Sequence, residues 1–199
     1  MTAADSHVIR CSTDTQLFES LLADREVTRV REKLARLEEK GPLGVRRRLL
    51  ATSVRLSRTM APGVHAIAEE CIDALAIDIP VELYVYASPQ FNAACVKPEE
   101  GRLFVLFSSA LLEAFRGREL CFVMGHELGH YLYHHHDIPV GWILGGDQPP
   151  GPRLALKLFA WARYAEVSAD RAGAHCARDF ESVGRALFRM TSGLGDDII

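Results

Sequence analysis

The chain has 199 residues, 48% of them hydrophobic and 25% charged, with a net charge of −3. That balance suits a water-exposed globular fold with one sizeable core, and no apolar run approaches the roughly 18 residues that cross a bilayer. A weakly acidic chain is also no general binder of nucleic acid.

The first ten residues show neither a basic segment followed by an apolar one nor a small-residue cleavage site, so cytoplasm is the expected location. Cys11, Cys71, Cys95, Cys121 and Cys176 are odd in number and form no CxxC pair, which fits reduced thiols, with Cys121 and Cys176 in the core.

Residues 14–40 carry Leu17, Leu21, Val27, Val30, Leu34 and Leu37 near helical spacing, and Gly41 and Pro42 end the pattern, so one long amphipathic helix is expected. A second, over 45–58, carries Arg46, Arg47, Arg48, Arg55 and Arg58. Residues 1–60 hold 12 basic and 8 acidic side chains, against 11 and 18 in 61–199. The expected division is therefore an N-terminal helical extension, 1–60, and a main domain, 61–199. The opposite charges allow residues 14–58 to dock on that domain. No aromatics interleave with the arginines to stack on bases, so the run reads as a solvated face and nucleic acid is not an expected partner.

Pro62 suits the first turn of a helix over 61–78, stopped by Pro80. Residues 81–86, 91–96 and 103–107 read as three strands, 110–115 as a short helix capped by Ser108 or Ser109, and 119–134 as an apolar helix. The apolar segment 138–146 is a lid, a partner-binding loop or part of the core. After the Pro-rich stretch 149–152, helices are expected over 153–177 and 181–190. The fold class is α+β, mostly helical, with a small three-stranded sheet.

Within the apolar helix, His126-Glu127-Leu128-Gly129-His130 is an HExxH motif. At i and i+4 the two imidazoles project from one face, one turn apart, where both can hold a zinc ion. Glu127 is then beside the metal and free to take a proton from zinc-bound water, the metalloprotease arrangement.

A catalytic zinc needs a third protein ligand. His136 has the HExxHxxGxxH spacing, but Tyr133 stands where that motif has its turn-forming glycine. On a continuing helix His136 points away from the pair. Glu166, on the next long helix, is the better candidate, and Asp170, one turn further, can accept the outer N–H of a zinc-bound histidine. His134, His135 and His136 read as a solvated helix end. Tyr133, His134, Arg171 and His175 are open candidates for a transition-state donor.

The small strands with Asn92 and Ala93, the Leu111-Leu112 helix, the HExxH motif and Glu166-Val-Ser-Ala-Asp170-Arg-Ala-Gly173 together resemble the HtpX and type I CaaX prenyl protease family of gluzincin metallopeptidases, over about residues 62–192. The resemblance implies a zincin-like domain with one Zn2+ per chain held by His126, His130 and Glu166. It further implies Glu127 as general base, and Asn92 and Ala93 beside a protein or peptide substrate. Members of that family are embedded by transmembrane helices and this chain has none, so a membrane substrate is not carried over.

The leading expectation is a zinc-dependent endopeptidase in which a substrate strand adds to the sheet edge and Glu127 activates the attacking water. A latent form would have residues 14–58 cover the cleft. The alternative from another class is a metal-binding or interaction module that has lost catalysis, with the N-terminal helices as its partner arm. Regulatory metallopeptidases that cut repressors also carry HExxH with a downstream glutamate, a more distant alternative.

Overall fold

The structure is a computed structural model and describes residues 9–39, 41, 44–146 and 149–195. Residues 1–8, Pro42 and the C-terminal residue Ile199 lie outside it.

Two helices, α1 (Ser12–Leu22) and α2 (Arg25–Glu39), cover the described part of the region where one was expected. Asp24 divides them: its side chain accepts the Glu26 N–H at 2.9 Å, an N-cap within a sequence whose apolar spacing continues undisturbed. The second expected helix is also shorter. α3 spans Val45–Thr52, and β1, Val54–Arg55, follows it. The sheet therefore has four strands, not three.

The remaining elements are α4 (Pro62–Leu75), β2 (Val81–Tyr86), β3 (Ala93–Glu99), β4 (Arg102–Ser108), α5 (Ser109–Ala114), α6 (Gly117–Leu132), α7 (Val140–Leu144), α8 (Pro152–Ala177) and α9 (Phe180–Ser192). Pro62 occupies the first turn of α4, and Ser108 caps α5 by accepting the Leu111 N–H. The helix α4 stops before Pro80 because Ala76 turns left-handed at φ 52°.

The sheet order is β1-β2-β4-β3, with β2 and β4 parallel and the two outer pairs antiparallel. Side chains alternate across it. Leu83, Leu103, Val105 and Phe107 join α4 and α6 in the main core, while Tyr84 and Phe104 meet Val45 and Leu49 of α3 on the other face. Arg46 is therefore no purely solvated residue. It donates to Glu82 at 3.2 Å, and Tyr84 Oη donates to the same carboxylate at 2.7 Å.

A separate apolar cluster joins Phe18 and Leu21 of α1, Val27 of α2, Ile143 of α7 and Leu158 and Trp161 of α8. Burying side chains of this size contributes roughly 1.5–3 kcal/mol each, so α1 is held firmly against α8. Ile138 and Ile143 are core residues, whereas Trp142 is exposed. All cysteines are free, Cys121 and Cys176 are buried as expected, and the Cys71 and Cys121 sulfurs lie 3.5 Å apart.

The helix α6 is the centre of the molecule, packed by α4, α8, α9 and β3. Its contact with α8 is unusually close. A Cβ built on Gly125 would lie 2.7 Å from Cys176 Sγ, one on Gly129 2.9 Å from Ala172 Cβ, and one on Gly173 2.5 Å from the Phe122 carbonyl oxygen. Glycine here removes the bulk that would separate the helices. Because Gly125 and Gly129 directly precede His126 and His130, the close approach is built where the motif needs a partner helix.

Candidate metal centre

His126 and His130 project together from α6, with their Nε2 atoms 3.2 Å apart. Glu166 reaches them from α8, its Oε2 3.4 Å from His126 Nε2 and its Oε1 3.7 Å from His130 Nε2. These are the sequence-expected three, and their ligating atoms all lie within 4.8 Å of one another. Metal–nitrogen and metal–oxygen bonds of about 2.0–2.1 Å in a tetrahedron separate ligand atoms by about 3.3 Å. The 3.2 Å between the two Nε2 atoms, and the 3.4 and 3.7 Å from each of them to one or other Glu166 oxygen, are of that size, and two imidazoles with one carboxylate suit zinc. The residues fit the metal.

Both histidines have a partner on their other ring nitrogen. His126 Nδ1 lies 2.9 Å from Asp170 Oδ1, the pairing expected from the one-turn spacing of Glu166 and Asp170. His130 Nδ1 lies 2.9 Å from His135 Nδ1, a partner that sequence reasoning missed. His135 is buried, which corrects the reading of 134–136 as a solvated helix end. The helix ends at Leu132, and His134 takes a left-handed φ of 59° that folds the next residue back onto α6. The turn refused to Tyr133 is thus made one residue later, and it returns His135 to the site instead of His136.

Among the described residues His136 is not one of the clustered ligands, and its buried Nε2 has no hydrogen-bond partner there. Tyr133 is buried as well, its hydroxyl without a hydrogen-bond partner among the described residues, and burial raises its pKa to about 12. It is enclosed rather than presented to a substrate. His134 is exposed.

With no metal, burial pushes His126 toward the neutral form, but its hydrogen bonds to Asp170 and Glu166 prevail and raise its pKa to about 10. His130 is lowered to about 3 by burial and by the charge on His126. Glu127 is buried, and burial raises its carboxyl above the ordinary range, opposed by His126 and by the backbone N–H of Cys95. That N–H belongs to β3, one of the two edge strands of the sheet, which packs on α6. Ala93, two residues earlier, packs on the main core beside Cys95. Asn92 is exposed, and its side-chain amide donates to Tyr86 Oη at 2.7 Å rather than turning to the histidines.

No helix among the described residues is long and apolar enough to cross a membrane. No solved structure matches the chain. It is 31% identical over 157 residues to the plastoglobule-localized metallopeptidase 48, chloroplastic, of Arabidopsis thaliana, an alignment covering 72% of this chain and 44% of that protein. The chain thus spans less than half the length of this curated relative. Residues 59–145 match peptidase family M48, a stretch that contains both histidines and Glu127 and stops short of Glu166. Over residues 59–145, then, this chain is similar to peptidase family M48.

Proposed function

We propose that the chain is a zinc-dependent endopeptidase of the gluzincin type, with residues 61–199 as its catalytic domain and 1–60 as a helical extension. The observation that carries the reading is the clustering of His126, His130 and Glu166, whose ligating atoms lie within 4.8 Å of one another, close enough to share one metal ion. These three residues would hold one Zn2+. Bound zinc supplies Lewis acidity, lowering the pKa of water and polarising the scissile carbonyl.

The other steps fall to the chain. Glu127 is buried beside His126, so its raised pKa makes it a competent base that still returns the proton readily. It takes the proton from the attacking water and passes it to the leaving amine. The substrate is a protein or peptide segment adding as a strand along β3, an edge strand, which puts its scissile bond over Glu127 and brings it past Asn92 and Ala93. Further along β3, a groove of about 630 Å³ is lined by Val96 and Lys97 together with His135, His136, Thr28 and Arg31, and not by His126, Glu127, His130 or Glu166.

Glu127→Gln should retain zinc and lose about 10²–10⁴-fold in casein hydrolysis. Full hydrolysis by that variant would remove Glu127 from its role. Elemental analysis of Glu166→Ala should show zinc lost, whereas wild-type zinc content would return the third position to His136.

A further inference from the structure

Asp14 lies in the N-terminal extension, 121 positions from His135, and is fully buried. Its Oδ2 lies 3.2 Å from His135 Nε2, 2.7 Å from Ser168 Oγ and 2.7 Å from Arg10 Nε; its Oδ1 accepts from Trp161 Nε1 at 2.9 Å and Arg10 Nη2 at 3.3 Å. Ser168 in turn accepts the backbone N–H of Cys11 at 3.1 Å. A buried carboxylate is costly unless paired and hydrogen-bonded, and this one is served from four residues.

We propose that Asp14 is a positioning residue for the metal ligand His130 and acts through His135. The inference rests on the metal-site reading above. A neutral imidazole carries one N–H, so the ring nitrogens of the two histidines fix each other's protons. With Nε2 of His130 turned to the metal, its proton is on Nδ1 and donates to His135 Nδ1. The proton of His135 is then on Nε2 and donates to Asp14. Every ring nitrogen has a partner and the order runs one way, from His130 to the carboxylate.

The arrangement extends the familiar carboxylate–histidine–metal pair by one imidazole. It also balances the site. His126 is oriented by Asp170 directly and His130 by Asp14 at one remove. Arg10 secures the far end, its guanidinium 4.9 Å from the Phe18 ring centroid and 5.4 Å from that of Tyr133. On this account the N-terminal helix is part of the metal centre's support.

The test uses the full chain and measures zinc affinity by chelator competition, beside the thermal stability of the zinc-free protein. Asp14→Asn should weaken zinc binding by about 10–100-fold, the range for losing an outer partner of a ligating histidine. His135→Asn keeps an oxygen for His130 Nδ1–H but cannot reach Asp14, so it should weaken zinc at least tenfold as well and decides the matter if Asp14→Asn does not fold. Ser168→Ala removes a hydrogen bond from Asp14 and leaves the order of protons intact. Its zinc affinity should stay within about threefold of wild type whatever its stability. Wild-type affinity in the Asp14 or His135 variants overturns the proposal, as does an equal loss in Ser168→Ala. A wild-type chain that binds no zinc would instead overturn the metal-site reading.

Discussion

Replacing Gly173 by alanine tests whether the close contact between α6 and α8 creates the metal triangle. The added Cβ would lie 2.5 Å from the Phe122 carbonyl oxygen and 2.8 Å from Phe122 Cδ2. Backbone cannot step aside as a side-chain tip can, and ordinary contact begins near 3.4 Å, so the helices must part by about 0.9 Å. Carried to Glu166, that displacement stretches its distances to the histidines from 3.4 and 3.7 Å to at most about 4.3 and 4.6 Å. Metal sites tolerate only about 0.2 Å in their bonds. Overpacking of this kind costs about 1–3 kcal/mol, a fall in Tm of roughly 2–12 °C for a chain of this size. Zinc affinity should fall at least tenfold in chelator competition. Gly184, on α9, has nothing within 4 Å of a built Cβ, so Gly184→Ala is the control and should stabilise by about 0.5–1 kcal/mol with zinc unchanged. If Gly173→Ala holds zinc as wild type does, the close approach does not set the site.

Two further outcomes follow from the same contacts. Asp170→Asn should keep the fold and weaken zinc by about 10–100-fold, because an amide can present its N–H₂ to His126 Nδ1 and lose the proper tautomer; isothermal calorimetry with no change in affinity would count against the pairing. For Asp14, burial raises the carboxyl pKa, but hydrogen bonds from His135, Arg10 and Ser168 outweigh it and hold the group well below the usual carboxylate range. A depressed folded pKa contributes stability above the unfolded value near 4 that is lost as pH falls toward the folded value. In chelator, urea unfolding should therefore show a constant difference between wild type and Asp14→Asn above about pH 5 that shrinks by about 1.4 kcal/mol per pH unit below pH 4. A difference as large at pH 3 as at pH 6 would show that Asp14 is not held ionised.

What could be read beforehand was what a single helix determines. His126 and His130 are one turn apart on α6, and Glu166 and Asp170 one turn apart on α8, so their shared faces follow from spacing alone. Pro62 and the Ser108 cap were legible for the same local reason. The break at Asp24 was obscured because Leu17 to Leu37 keep their apolar spacing across it, and only the side-chain bond to Glu26 marks the stop. β1 has two residues and exists through its pairing with Tyr84 and Val85, which no property of Val54 or Arg55 announces. His135 was misread because its neighbours in sequence are polar; its burial comes from Asp14 and Trp161, both more than 20 residues away.

The span of chain between Asp14 and His135 also orders the assembly of the molecule. The two histidines meet as soon as α6 coils, and Glu166 joins once α8 packs back on α6 across the segment 133–151. Asp14 must close a loop of more than a hundred residues, a step with a larger entropic cost and a slower rate than any helix formation before it. A partly folded chain can therefore present two imidazoles and a carboxylate with nothing behind His130. On the proposed reading, full grip on an ion would be the mark of a finished tertiary structure, which helix content alone does not report.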